Sequence, residues 1–264
     1  MHRIFAFFVR EPIEKIIRFF EVFGDIVLFT QTAVFSAFSP PFKRSITRRQ
    51  MDVIGVGSLN IVVLTGLFMG LVLALQAIVE LRSLGATAYL GRPIGTTVIR
   101  ELGPVLASIM VAARAGSAIA AELASMVIAE QIDALRAEGS DPVKKLVEPR
   151  LMACTLMTPV LTAICCLVAF IGGWIVACQI VQITSSFYWD SVMEVLTPAF
   201  VWGGLLKALC FGFIIGVVSC YCGIKTEFGS EGVGLATTRT VVISSISILA
   251  VDFILTKIYI VTWW

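Results

Sequence analysis

The chain has 264 residues, of which 58% are hydrophobic and 14% charged, with a mean hydropathy of +0.95 and a net charge of +2. A soluble domain carries about 25% charged residues, so this composition excludes a protein whose surface faces mainly water. The small net charge gives no indication of nucleic-acid binding, and the length fits one compact membrane domain.

The first 50 residues form a region of their own. Charged residues separate apolar ones that recur at helical spacing, which predicts an amphipathic helix lying in the membrane interface. The uncharged piece from Ile26 to Phe38 is short for a crossing and is followed by Pro40 and Pro41, so we expect it to dip into the membrane or lie flat. The apolar residues of the predicted helix are Phe5, Phe8, Ile13, Ile16, Ile17, Phe20 and Val27.

Five later stretches predict transmembrane helices, because a bilayer core needs about 20 apolar residues in a helix. Val53 to Val79 is uncharged, and the uncharged run Leu151 to Trp189 is long enough for a span and an amphipathic surface segment. Three more stretches contain charges, at about Thr97 to Ala121, Val195 to Ile224 and Thr240 to Val261. The predicted fold is therefore an all-α integral membrane protein with an interfacial or elbow helix region at 1–50 and a transmembrane domain at 51–264.

Lysine and arginine are concentrated on one side of this predicted topology. With the N-terminus inside, the cytoplasmic side receives the basic residues before the first span and those of the loop Glu130 to Arg150, whereas Ile183 to Glu194 outside has no lysine or arginine. The positive-inside rule then predicts a cytoplasmic N-terminus and a C-terminus on the opposite side. The basic residues that fall on the other side are Arg82, Arg92, Arg100 and Lys257.

Four charged residues within the predicted spans are candidates for function: Glu101, Arg114, Lys207 and Asp252. A charge at the bilayer centre costs about 2.5–3.5 kcal/mol on insertion scales, so one that remains there usually faces protein or water. Two interpretations stay open: snorkelling or structural ion pairs, and a polar lining for a cavity that accepts a charged headgroup. Lys207 has the longest apolar flanks and is the hardest to assign to an interface.

The loop after the second span predicts a short cytoplasmic helix within residues 122–148. Ile132 and Leu135 lie on one helical face, and Gly139 is a natural helix stop. Asp141 followed by Pro142 is typical of an N-cap and first residue of the next helix. Such a helix either lies on the membrane or docks into a partner protein, and the pattern alone does not distinguish these.

Several other classes of function are excluded. The chain has no P-loop pattern, and His2 is its only histidine, so neither ATP binding of that type nor a Ser–His or Cys–His nucleophile is expected. The seven cysteines lie in apolar stretches and fit packing better than metal binding, so we expect no catalytic residue and no metal. Gly66-x-x-x-Gly70 and Gly212-x-x-x-Gly216 predict close helix packing without naming the partner helices.

Taken together, several motifs resemble the MlaE family of ABC transporter permeases, over about Ile54 to the C-terminus. They are Arg100-Glu101-Leu102-Gly103-Pro104, Ala113-Arg114-Ala115-Gly116-Ser117-Ala118, Ala121-Glu122, Glu130-Gln131-Ile132-Asp133-Ala134-Leu135, Asp141-Pro142, Glu148-Pro149-Arg150, Ala236-Thr237-Thr238-Arg239-Thr240-Val241-Val242 and Asp252-Phe253.

The resemblance implies a homodimer of five-span subunits in a bacterial inner membrane. It also implies two copies of a cytoplasmic ATPase subunit, which would bind the ATP, and a periplasmic MCE-domain ring that receives or delivers phospholipid. The charged cavity positions of the family match Glu101, Lys207 and Asp252. The family segment that docks with the ATPase matches Glu130, Gln131, Ile132, Asp133, Ala134 and Leu135, which makes the predicted loop helix a coupling helix.

The mechanism that follows moves a lipid without breaking a bond in it. Tails rest on apolar walls between two subunits, the headgroup meets polar side chains, and ATP-driven closure narrows the cavity. Two alternatives remain: a stand-alone channel or secondary transporter that uses the intramembrane charges, and a membrane-embedded lipid-modifying enzyme.

Overall fold

The structure is a computed structural model, and it describes residues 24–33, 35–36, 44–83, 85–86, 89–227 and 229–263. Within these ranges the chain is helical and has no strand. Residues 1–23, which carry most of the predicted interfacial helix, and the prolines at 40 and 41 lie outside the described residues.

Eight helices follow one another along the described chain. In order, they are α1 (residues 24–33), α2 (Arg44–Ser83), α3 (Gly91–Ile128), α4 (Gln131–Ala137), α5 (Val143–Gln179), α6 (Ser185–Val195), α7 (Pro198–Ile224) and α8 (Gly229–Trp263). Five of them, α2, α3, α5, α7 and α8, are long and apolar enough to cross a membrane. The prediction of an all-α protein with five spans is therefore confirmed.

The spans run alternately between two ends of the bundle. The short helix α4 connects α3 and α5 at one end, called the α4 end, and α6 connects α5 and α7 at the other, called the α6 end. The uncharged run predicted from Leu151 divides into the span α5 and the separate helix α6. The Asp141 carboxylate accepts the Val143 backbone N–H at 2.9 Å, which confirms the predicted N-cap.

The central span is α5, which packs against α2 on one side and α7 on the other. Gly66 and Gly70 of α2 and Gly212 of α7 leave no room for a Cβ, because backbone carbonyls of α5 occupy that space. These carbonyls belong to Cys165, Ala169 and Cys154, respectively. The predicted close packing of both glycine motifs is confirmed, and the structure identifies α5 as the shared partner.

Helix α1 is attached to the α4 end of α7. Its Phe29 ring packs edge-on against Tyr221 with centroids 5.8 Å apart, and Asp25 Oδ2 lies 3.0 Å from Lys225 Nζ. The hydrogen bond to Asp25 raises the pKa of Lys225. Helix α1 therefore belongs to the bundle end at which α4 also lies.

Candidate functional site

Three of the four charged candidates lie at about the same distance from the α6 end of the bundle. Glu101 lies ten residues after Gly91, at which α3 begins. Lys207 lies nine residues after Pro198, the first residue of α7. Asp252 lies eleven residues before Trp263, the last residue of α8. A helix rises 1.5 Å per residue, so each is about 14–17 Å along its helix from the α6 end. The topology thus brings α3, α7 and α8 side by side with their charges in register.

These side chains form a buried ion cluster. Lys207 is 3% exposed, and its Nζ lies 2.8 Å from Glu101 Oε2 and 3.0 Å from Asp252 Oδ1. The ammonium also donates to Thr256 Oγ1 at 2.7 Å and to the Arg100 carbonyl at 3.0 Å. We call Lys207, Glu101, Asp252, Thr256 and this carbonyl the Lys207 cluster.

The hydrogen bonds account for all three protons of the ammonium. They go to Glu101, Thr256 and the Arg100 carbonyl, while Asp252 is close enough to act as a second counter-charge. The Thr256 hydroxyl in turn donates to Glu101 Oε2 at 3.1 Å. Lys207 is therefore held in place by three helices and has little freedom to leave them.

Pro104 explains why the Arg100 carbonyl accepts this bond. In a regular α-helix that carbonyl would pair with the N–H of residue 104, but proline has none. The helix widens here into a π-helical segment, Val98–Leu102, and the Gly103 N–H bonds to the Val98 carbonyl. Such π-segments are frequent at functional sites, and this one provides a main-chain acceptor for Lys207 inside the bundle.

A small, partly open pocket lies beside the cluster. The Arg100 guanidinium lines it and lies over the Phe200 ring, 5.0 Å from the ring centroid. Glu101 is 35% exposed whereas Lys207 is almost fully covered, so Arg100 and Glu101 present charge to the pocket. The other lining residues are Ala199, Gly203, Gly204, Lys207 and Tyr259. The pocket therefore combines apolar walls with a small charged patch.

Arg114, the fourth candidate, lies elsewhere. It follows Glu101 by 13 residues, about 20 Å along α3. Its Nη1 donates to the Val53 carbonyl of α2 at 3.3 Å, and its guanidinium occupies the space beside Gly57. The structure therefore brings Glu101, Lys207 and Asp252 together and leaves Arg114 at a separate contact between α2 and α3.

The short helix predicted within residues 122–148 is present as α4. Glu130 takes a left-handed conformation (φ 56°) just before it, and Gly139 (φ 75°) follows it, which confirms the predicted stop. Ile132 is 4% exposed within this chain, and Leu135 is partly buried against the same core. Asp133 pairs with Arg136 of the same helix at 2.8 Å. The exposed residues of the predicted segment are Glu130, Gln131, Asp133 and Ala134.

Sequence reasoning did not single out two further contacts. Thr256 lies four residues after Asp252, which places it on the same helical face, and that spacing was the available signal. Arg150 was counted among the loop charges, but its side chain is 5% exposed and pairs with Glu122 at 2.8 Å.

Comparison with known proteins agrees with these features. The sequence model of the family described as Permease MlaE matches residues 47–258. The chain belongs to the MlaE permease family. The resemblance found in its motifs is thereby confirmed.

Relatives of this MlaE-family permease occur in bacteria and plants. A probable ABC transporter permease protein of Rickettsia conorii is 40% identical over 246 residues, covering 93% of this chain and 95% of that protein. The intermembrane phospholipid transport system permease protein MlaE of Haemophilus influenzae is 36% identical, covering 80% and 81%. The chloroplastic protein TRIGALACTOSYLDIACYLGLYCEROL 1 of Arabidopsis thaliana is 37% identical, covering 81% and 61%. The chain is thus a permease, which is a transport subunit and not an enzyme.

Proposed function

We propose that this permease is the membrane subunit of an ATP-driven phospholipid transporter. The observation that carries the proposal is the Lys207 cluster beside an otherwise apolar pocket. A phospholipid requires such a combination, because its tails need apolar walls and its headgroup needs polar partners. The name of the Haemophilus influenzae relative, which specifies intermembrane phospholipid transport, supports the same substrate.

Within this proposal the charged residues have different roles. Arg100 is the group best placed to bind a lipid phosphate, because its guanidinium faces the pocket and suits phosphate geometry. Lys207 and Asp252 hold the cluster together, and Glu101 links it to the pocket. The lysine acts on the headgroup through the positions of Glu101 and Arg100.

The proposed assembly has two copies of the chain, two copies of a cytoplasmic ATPase and a periplasmic ring of MCE domains that exchanges phospholipid with the cavity. The names of the relatives as ABC transporter permeases support an ATPase partner, since such transporters carry ATP-binding subunits. In this assembly, residues 51–264 are the permease domain and 1–50 its interfacial region.

The site of action is a bacterial inner membrane. The basic residues at the α4 end include Arg136, Lys144, Lys145 and Arg150, which supports a cytoplasmic α4 end. The N-terminus then lies in the cytoplasm and the C-terminus in the periplasm.

This topology predicts opposite labelling of two exposed positions. In a background with Cys178 and Cys210 replaced by alanine, Glu138→Cys at the α4 end should react with a membrane-impermeant maleimide only in inverted vesicles. Asp190→Cys at the α6 end should react only in intact spheroplasts. The five remaining cysteines are buried and should stay silent. Labelling of both variants from the same side would refute the topology.

The proposed ATPase contact is tested at Ala134, an exposed residue at the rim of a groove between α4 and the start of α5. Ala134→Arg should weaken co-purification of the ATPase by at least about tenfold, because it places an unpaired charge in a desolvated contact. ATP-driven transfer of a fluorescent phospholipid from proteoliposomes should fall with it.

The matched control is Ser186→Arg on α6, which should leave both measurements unchanged. The proposed function itself fails if the wild-type complex moves no phospholipid on ATP addition, or if the permease alone carries an ion current. Normal assembly and transfer by Ala134→Arg would instead reject only the docking site.

A further inference from the structure

A second ion pair, in which only the arginine is buried, lies at the α4 end, far from the Lys207 cluster. Arg150, near the start of α5, is 5% exposed, and its Nη2 lies 2.8 Å from Glu122 Oε1 of α3. Its Nη1 donates to the Leu146 carbonyl at 2.7 Å. The guanidinium therefore fixes the end of α3 to the beginning of α5.

This ion pair is next to the coupling helix. The side chain of Leu146 lines the groove beside α4 together with Ile132 and Leu135, while its carbonyl holds Arg150. Helix α4 begins after the left-handed residue Glu130 and ends before Gly139. Thus two tight turns join α4 to α3 and to α5, and the Arg150–Glu122 pair joins α3 directly to α5. The end of α3, α4 and the start of α5 form one connected unit.

Helix α3 leads from this unit to the pocket. Glu122 and Glu101 are 21 residues apart on α3, about 32 Å along the helix. Near Glu122, α3 also contacts α7 closely, because a Cβ on Gly223 would lie 3.0 Å from the Ala120 carbonyl oxygen. Packed helices therefore connect the α4 end of α3 to Glu101 and Lys207.

We propose that Arg150 and Glu122 are positioning residues that hold the end of α3 against the start of α5 when α4 moves, so that the movement is passed along α3. The inference rests on the proposed function, in which an ATPase pushes on α4. Charge-assisted hydrogen bonds are short and directional, and separating the pair would leave a guanidinium buried without its counter-charge. With the pair intact, α4, the end of α3 and the start of α5 move as one body. Without it, the end of α3 and the start of α5 can separate when α4 moves, and less of the movement reaches Glu101 and Lys207.

The test separates ATP hydrolysis from transport in the complex of the full chain with its ATPase. Glu122→Gln should keep the membrane level and leave ATP hydrolysis within about twofold of the wild type, because Glu122 is half-exposed and glutamine retains an acceptor oxygen. Phospholipid transferred per ATP hydrolysed should fall at least about fivefold, because the charge that holds Arg150 is lost.

Two comparison variants make the result specific. Glu194→Gln removes the same charge from the exposed Arg92–Glu194 pair at the α6 end and should leave the transfer ratio unchanged. The exchange of charges in Glu122→Arg with Arg150→Glu should restore at least about half of the ratio, since it re-forms an ion pair. A purely structural role predicts instead that hydrolysis and transfer fall in proportion to folded protein, and that outcome would overturn the inference.

The link is also tested without the ATPase. In the isolated permease, Glu122→Gln should raise hydrogen exchange at residues 117–128 and 131–137 together, because the restraint on both is lost. Unchanged exchange would overturn the inference even if the wild-type complex transfers no phospholipid, whereas absence of wild-type transfer bears on the proposed function alone.

Discussion

Lys207→Ala is expected to lower ATP-driven phospholipid transfer by at least about tenfold and to destabilise the bundle by about 3–5 kcal/mol. The reason is that Glu101 and Asp252 lose the ammonium that lies 2.8 Å and 3.0 Å from them, leaving two carboxylates near each other inside the protein. Transfer per folded complex and the thermal denaturation midpoint in detergent measure the two effects separately.

Neutralising the two carboxylates separates the effect of charge balance on stability from the role of the cluster in phospholipid transfer. Adding Glu101→Gln and Asp252→Asn to Lys207→Ala should recover much of the lost stability, since no buried charge is then left unpaired. It should not recover transfer. Lys207→Arg should keep part of the activity, because it preserves the charge in a different geometry. Wild-type transfer by Lys207→Ala would show that the cluster has no role in moving lipid.

Gly70→Ala is expected to destabilise the protein by about 1–3 kcal/mol, the usual cost of inserting a methyl group into a filled contact. The added Cβ would overlap the Ala169 carbonyl, and a main-chain atom in the central helix α5 has little room to move. The loss should appear as a lower denaturation midpoint and, for Gly70→Leu, as a loss of folded protein from the membrane.

Gly234→Ala is the matched control for this contact. Gly234 also lies within a helix, but nothing approaches the place its Cβ would take. Alanine should therefore be neutral there or stabilise the helix by up to about 1 kcal/mol, through its better helix propensity. Equal destabilisation by Gly70→Ala and Gly234→Ala would mean that the α2–α5 contact is not tightly packed.

The spans could be predicted because hydrophobicity is a local property of the sequence. Uncharged runs identified α2 and α5 directly, and charge-containing runs identified α3, α7 and α8. Helix ends were less well predicted, since helices continue beyond the hydrocarbon wherever capping and packing allow it. Helix α5, for example, starts directly after its Asp141 cap and not at Leu151, where the uncharged run begins.

The site was only partly predictable, because its contacts join distant parts of the chain. The cost of a buried charge identified Glu101, Lys207 and Asp252, but the same cost applied to Arg114. The contact of Arg114 with the Val53 carbonyl of α2 joins distant parts of the chain and was not visible in the sequence. A local pattern placed Ile132 and Leu135 on one face of α4 without showing that Ile132 is covered by its own chain. The docking role remains a proposal, which the family motifs imply and the pattern alone left open.

The cluster also has a consequence for how the protein is made. Its charges arrive in the membrane one helix at a time, with Glu101 first, Lys207 about a hundred residues later and Asp252 last. Until α7 is synthesised, α3 carries an intramembrane carboxylate whose partner does not yet exist, and Asp252 joins only when α8 is inserted. A chain that stops before α8 would have the Lys207–Glu101 ion pair without Asp252 and Thr256, and without α8 that pair would be exposed to lipid. Completion of this cluster therefore coincides with the completed insertion of the bundle.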